Sequence, residues 1–178
     1  MIKGLLCSAL LFCGIVFAQE NEQSNKIKFY SASIVPYGLY GPSESGFALR
    51  ADVTMSSNKH LFSLAGDAGS EIRFWSKNDS FSALNLLYGR QFRLDKNIYW
   101  DVHGGAGYFS YTTFMTDANN GIGGDASSRT VGVPVVVKLR FMLGNKFSMG
   151  LLLHANFNAE QVIYGGGLLL QFNGTKKQ

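Results

Sequence analysis

The sequence predicts an all-β protein, an eight-stranded antiparallel up-and-down transmembrane β-barrel preceded by a cleaved signal peptide. Three observations support this fold class: an apolar leader, eight segments that alternate in polarity between turn residues, and two cations inside the most apolar segment, VPVVVKLRFML (133–143). Lys138 and Arg140 fit such a segment if it is a strand, because successive side chains of a strand point to opposite faces. The segment would then have one apolar and one polar face.

The leader has the features of a secretory signal peptide. Lys3 precedes an apolar run that ends at Phe17, and Ala18 is the small residue before the cleavage site. The run is shorter than the ~20 apolar residues that a membrane-spanning helix needs. We therefore expect a signal peptide over 1–18 and an outer-membrane β-barrel domain over 19–178.

The composition of the remaining chain excludes several classes of protein. Both cysteines, Cys7 and Cys13, lie in the leader, so the exported chain has no disulfide framework. Without Lys3 the chain has 15 basic and 12 acidic residues, since the leader contains no other charge. This balance is too mild and too dispersed for a nucleic-acid partner. The length fits a single domain.

Eight amphipathic segments account for nearly the whole exported chain, and no long segment has a helical period. The predicted strands are 27–40, 46–56, 60–74, 80–94, 98–113, 129–143, 147–158 and 162–173. The second, fourth and sixth connections are tight, whereas the fifth, 115–128, is the longest. Bacterial barrels have short periplasmic turns and long external loops, so 115–128 is predicted to be an external loop.

The apolar faces of these strands could line a ligand cavity or contact lipid. The first arrangement is that of a secreted lipocalin-like carrier, and the second is that of a membrane barrel. Two features favour the membrane barrel. Aromatic residues occur at both ends of the apolar faces, and Phe147 and Phe157 are ten residues apart, or roughly 26 Å at a tilt of ~40°, close to a ~25 Å apolar band. The polar faces also have nearly balanced charges, as a narrow lumen requires.

These faces define two sets of residues. The predicted polar network of the lumen consists of Arg50, Asp52, Asp67, Glu71, Arg73, Arg93, Asp101, His103, Lys138, Arg140, His154 and Gln171. The predicted lipid-facing aromatic girdle consists of Phe62, Phe74, Trp100, Phe141, Phe147, Phe157, Tyr164 and Phe172. Lys138 is expected to meet Asp52, Asp67, Glu71 or Asp101, and the pattern does not choose among them.

Three features do not follow the alternation. Arg90 falls on the apolar face close to a turn, where its stem could reach the interface. Pro134 lacks a ladder donor and predicts a bulge or the outer end of a strand. The first strand alternates poorly, so its facing stays open.

The leader, the amphipathic strands, the tight turns DKN and GNK, and the closing VIYGGGLLLQF resemble small bacterial outer-membrane β-barrel proteins. The chain is most similar to the Bacteroidetes-like outer-membrane β-barrel domain family, with an OmpA-type eight-stranded barrel. The resemblance covers nearly all of the exported chain but rests on a pattern and not on a diagnostic motif. Many such barrels end on an aromatic residue that assists assembly, whereas here Phe172 is followed by NGTKKQ.

No catalytic or metal-binding set is predicted. HANFN (154–158) resembles the His and Ser, two apart, of outer-membrane lipid A deacylases, but Asn156 stands where the nucleophile would be. His154 is therefore expected to be an interior hydrogen-bonding residue. Asp101 and His103 share a face but lack a third ligand, and Asp117 and Asp125 could hold Ca²⁺ only weakly.

The expected protein is a monomer of the bacterial outer membrane, without cofactor or enzymatic activity. Its role would be structural, adhesive or that of a minor pore, with a lumen mostly filled by polar side chains. The expected partners are outer-membrane lipid, the barrel-assembly machinery and an external ligand or protein at 115–128. The alternatives are the lipocalin-like carrier of an apolar ligand and an outer-membrane lipid-modifying enzyme.

Overall fold

The computed structural model describes residues 27–40, 45–71, 79–116 and 123–174. These residues form eight β-strands in one closed barrel. The strands are β1 (Lys28–Tyr40), β2 (Ser45–Ser57), β3 (His60–Glu71), β4 (Ser80–Arg93), β5 (Ile98–Thr116), β6 (Gly123–Leu143), β7 (Phe147–Phe157) and β8 (Ile163–Asn173). Among the described residues, no helix is long and apolar enough to cross a membrane.

Every strand pairs antiparallel with its neighbours in sequence, and β8 pairs with β1 to close the barrel. The predicted fold class, an eight-stranded antiparallel up-and-down barrel, is confirmed. Closure leaves no strand edge along the wall, so the ladder satisfies the backbone donors and acceptors of each strand. The closing register runs from Ser31↔Asn173 to Leu39↔Gly165.

The three tight turns and the two ends of the described barrel, Lys28 and Asn173, lie at one end, which we call the turn end. The turn after β2 has two residues, Asn58 and Lys59. Asn58 has a positive φ of 55°, which asparagine adopts more readily than most residues. Gly144 begins the turn after β6 with a φ of 83°, where a side chain would add strain.

The opposite end, which we call the hairpin end, has one extended element. β5 and β6 stay paired as far as Thr116↔Gly123, whereas β4 pairs with β5 only from Ser80↔Thr112. The prediction of a loop over 115–128 was therefore wrong at both ends of the segment, since residues 115–116 and 123–128 are strand. Small residues at 123–128 pair in register without apolar packing, which is why hydrophobic alternation did not reveal the strand.

Two features that the sequence left open are settled by the register. After an irregularity between Phe29 and Ser31, β1 places its odd-numbered residues in the interior. Pro134 pairs with Asn156 of β7 without a register shift, so the predicted bulge or strand end was wrong. Instead the β5–β6 pairing is interrupted between Gly104↔Val135 and Gly107↔Gly132, opposite the proline, which has no N–H to donate.

Candidate functional site: the filled lumen and the hairpin end

Among the described residues, the lumen contains three hydrogen-bonded ion pairs that are almost completely buried. The first is at the turn end, where Arg140 donates from Nε to Asp101 Oδ2 at 2.7 Å and from Nη2 to Asp101 Oδ1 at 3.0 Å. Arg140 also donates to the hydroxyl of Tyr30 and lies over the ring of Tyr99, 5.5 Å from its centroid. The fork of the guanidinium is thus matched to both carboxylate oxygens, the geometry that gives arginine pairs their directionality.

The second pair joins opposite walls of the barrel. Lys138 of β6 donates to Asp52 of β2 at 2.7 Å and 2.8 Å and to the hydroxyl of Ser33 at 3.2 Å. Asp52 also accepts from Ser33 at 2.7 Å and from Thr54 at 3.4 Å. The carboxylate therefore has several donors, which offsets part of the cost of burying it. Of the four acids expected to meet Lys138, the structure selects Asp52.

The third pair lies on adjacent strands. Arg50 and Asp67 are direct register partners, and Nη1 of Arg50 donates to both carboxylate oxygens at 3.0 Å and 2.9 Å. Asn85 donates to Asp67 Oδ2 at 2.8 Å, and the hydroxyl of Tyr37 donates to Oδ1 at 3.4 Å. Arg50 Nε lies 3.6 Å from Asp52, so this pair is linked to the one that crosses the lumen.

Two histidines and one glutamine of the predicted network are buried outside these ion pairs. The ring of His154 meets the ring of Tyr37 edge-on with centroids 5.8 Å apart, and His103 is 2% exposed. Neither ring has a hydrogen-bond partner at its nitrogens among the described residues, unlike the hydrogen-bonding role expected for His154. Gln171 donates to Asn173 at 2.7 Å.

The remaining members of the predicted network have other positions. Arg93 points to the inner side of β4 but lies at the exposed rim, where it donates to the carbonyls of Asp95 at 3.1 Å and Lys96 at 3.2 Å. Its assignment to the lumen was wrong, because β4 ends at Arg93 and the exposed side chain bonds to the turn carbonyls. Arg73 and the side chain of Glu71 lie outside the described residues.

Sequence reasoning missed the apolar part of the lumen. Val35, Phe109, Val136, Leu152 and Leu169 are all fully buried and belong to one cluster inside the barrel. They occupy polar-face positions of their strands and fill the space that the ion pairs leave. The alternation did contain a signal, because Leu152 and Leu169 interrupt otherwise polar or small faces.

The other faces of the strands point outward and are apolar. Of the predicted girdle, Phe62, Trp100, Phe141, Phe147, Phe157, Tyr164 and Phe172 are all between 41% and 58% exposed. Phe74 lies outside the described residues. Exposed leucines and valines such as Leu86 and Leu153, at 70% and 63%, occupy the band between them. An apolar belt of this size is not a feature of water-soluble monomers.

The hairpin end has a small polar site of its own. Asp79, which the sequence places in a turn, is buried and accepts from Tyr111 at 3.0 Å and from Thr113 at 2.8 Å. An open pocket of about 240 Å³ lies beside it, lined by Tyr111, Thr113, Ala126, Ser127, Ser128 and Glu160. Asp125, one of the two possible Ca²⁺ ligands, is exposed, and Asp117 lies outside the described residues. Within the described ranges no group of three or more His, Cys, Asp or Glu could hold a metal ion.

No family model matches the chain, and no curated protein matches it by sequence. The solved structures with a similar fold include two small barrels. Neisserial surface protein A is 9% identical with a TM-score of 0.64, and the match covers 84% of this chain and 99% of that chain. The N-terminal β-barrel domain of Pseudomonas aeruginosa OprF is 12% identical with a TM-score of 0.53, and the match covers 83% of this chain and 100% of that domain. The chain therefore has the fold of these small eight-stranded barrels.

Proposed function

We propose that this protein is a monomeric barrel of the bacterial outer membrane whose lumen is closed by its own side chains. The observation that carries the proposal is the inversion of polarity: apolar side chains cover the outside of the wall, and charged residues fill the inside. A lipocalin-like carrier would need the opposite arrangement, with an apolar cavity and a polar exterior. The similarity to two small barrel structures supports the fold on which the proposal rests.

The closed lumen follows from how little space the interior offers. An eight-stranded barrel is just wide enough to be filled by side chains. Here Lys138 and Asp52 bridge opposite walls, while Phe109 and Leu152 pack in the remaining space. A structural role is therefore favoured over that of a minor pore.

Fractionation and electrophoresis test the location. The protein should sediment with outer membranes, require detergent for extraction and migrate faster on gels when it is not boiled. A soluble protein in the periplasm or medium, with no heat-dependent migration, would overturn the proposal. Purified folded protein in a planar bilayer should give no steady single-channel current, whereas a stable open conductance would contradict the closed lumen.

A second candidate role, adhesion, is favoured by the β5–β6 hairpin. Residues 123–132 of β6 extend past the last residue of β7 that pairs with β6, Phe157 opposite Val133. The hairpin therefore projects from the wall with polar, exposed side chains such as Asp125 and Arg129. Replacing 114–125 by a two-residue turn between the paired Thr113 and Ala126 should leave heat-modifiable migration intact and abolish adhesion to surfaces or cells. Unchanged adhesion would exclude the hairpin as the adhesive element.

The proposal includes no enzymatic activity. Asn156 is 1% exposed and offers an amide where a lipid A deacylase would need a nucleophile, and His154 contacts an aromatic ring. Lipid A mass spectra from cells with and without the gene should be identical. A missing acyl chain in the presence of the gene would establish the lipid-modifying alternative.

A further inference from the structure

The two ends of the barrel differ in charge. Among the described residues outside the lumen, the turn end has six cations, Lys28, Lys59, Arg90, Arg93, Lys96 and Lys146, and one acid, Asp95. The described side chains of the hairpin end have the opposite balance, with Arg129 against Asp79, Asp125 and Glu160. The charges that make up this asymmetry are distinct from the three hydrogen-bonded ion pairs of the lumen, which involve other residues.

Three of these cations occupy the tight turns. Lys59, Lys96 and Lys146 are exposed and lie one in each of the turns after β2, β4 and β6. We call these three lysines the basic collar. Since each turn has only two to four residues, their ammonium groups cannot lie far from the end of the wall.

Apolar side chains lie directly beside the collar. Leu94 and Leu143 flank two of the turns and are 56% and 57% exposed, and Trp100 and Phe147 lie on the outer wall just above them. Tryptophan and phenylalanine at this height mark the boundary between hydrocarbon and headgroups. The collar lysines are thus placed at headgroup level, where their stems can follow the apolar surface while the charges reach outward.

We propose that the basic collar binds the phosphate groups of anionic phospholipids in the leaflet at the turn end of the barrel. The inference rests on the proposed membrane location and adds a lipid preference to it. A lysine near an anionic membrane surface contributes about 1 kcal/mol, or about fivefold in association. The described residues of the hairpin end carry more acids than cations, so we expect the preference in the leaflet at the turn end.

Quenching of tryptophan fluorescence by brominated lipids tests the collar directly. The exported chain has two tryptophans, Trp75 and Trp100, so the W75F variant leaves Trp100 as the reporter at the turn end. In mixed vesicles at low salt, brominated phosphatidylglycerol should associate about fivefold more strongly than brominated phosphatidylcholine. The preference should weaken in high salt because the contact is exposed.

Matched variants separate charge from folding. K59Q/K96Q/K146Q should bring the two lipids to equal quenching, K59R/K96R/K146R should keep the preference, and R129Q at the other end should leave it unchanged. Equal quenching by both lipids in the W75F protein, or a preference that persists in the triple glutamine variant, would overturn the proposal. If the protein fails to enter phosphatidylcholine vesicles and to migrate in a heat-dependent way, it is the membrane location itself that fails.

Discussion

At the scale of single residues, the charged side chains of the lumen are almost completely buried and must neutralise one another. Lys138 and Asp52 are 2% and 4% exposed, and each depends on the other for its charge. Burying two ions costs several kcal/mol each, and the pair recovers this only while both members are present. We therefore expect the pair to matter more for which strands lie opposite each other than for the net free energy of unfolding.

Removing Lys138 alone should be costly. In Lys138→Met, Asp52 would keep Ser33, Thr54 and the more distant Arg50 but lose the one cation that hydrogen-bonds to it, and the free energy of unfolding should fall by about 3–5 kcal/mol. Urea unfolding in detergent micelles, followed by tryptophan fluorescence, measures the loss. The double variant D52L/K138M removes both charges and should recover most of it. A double variant as unstable as K138M would show that the ion pair does not explain the effect.

A charge on the outer wall should be costly for a different reason. Val137 lies opposite Val102 and Leu153 in the middle of the apolar belt, so Val137→Arg should reduce folding stability in lipid vesicles by about 2–4 kcal/mol. Val131→Arg, on the same face towards the hairpin end, should cost about 0–1 kcal/mol. Reversible folding titrations in vesicles measure the free energy of unfolding of both variants. Equal losses would contradict the placement of Val137 near the middle of the membrane and of Val131 near its edge.

At the scale of elements, glycines set how closely strands approach. A Cβ built on Gly105 of β5 would lie 2.0 Å from the carbonyl oxygen of Leu86, whereas one on Gly104 would meet nothing within 4 Å. Backbone is hard to displace in a closed barrel, because each strand is paired on both sides. An added side chain should therefore disrupt the wall at Gly105 and be tolerated at Gly104.

The two neighbouring glycines should respond differently to the same substitution. Gly105→Ala should lower the free energy of unfolding by about 1–3 kcal/mol, because the wall must shift to relieve the clash. Gly104→Ala should be neutral or slightly stabilising, since it reduces the freedom of the unfolded chain. Denaturant midpoints measured in micelles compare them. Equal midpoints would mean that the approach of β4 and β5 is looser than the structure shows.

At the scale of the whole molecule, closure and filling act together. The strand ladder satisfies the backbone groups, the outer face is apolar, and the three ion pairs and the apolar cluster pack together inside the barrel. The Arg50–Asp67 pair can be removed without leaving a net charge behind, which makes it the natural place to open the lumen.

Opening the lumen should create conductance. The variant R50A/D67A removes two buried side chains and should produce measurable single-channel steps in planar bilayers, where the unmodified protein gives none. The control variant L49A/L86A removes a similar side-chain volume from the outer wall, where both leucines are exposed. It should give no single-channel steps. Steps in both variants would point to a damaged wall, and silence in both would show that other residues close the lumen.

The sequence by itself determined the number of strands, their order and, for seven of the eight, which face is apolar. A two-residue period and tight turns are local properties, so they can be recognised along the chain without knowing which strands meet. The same local information placed Trp100, Phe147 and their partners on one face, and Arg50, Lys138 and Arg140 on the other.

Only the tertiary structure decided which charges meet. Lys138 and Asp52 are 86 residues apart, and they are brought together because β6 and β2 stand on opposite walls of a closed barrel. The end of β4 put Arg93 at the rim, and the pairing of β5 with β6 continued into both ends of a predicted loop. Such features depend on register and closure, which involve all strands at once and have no signature in any single segment.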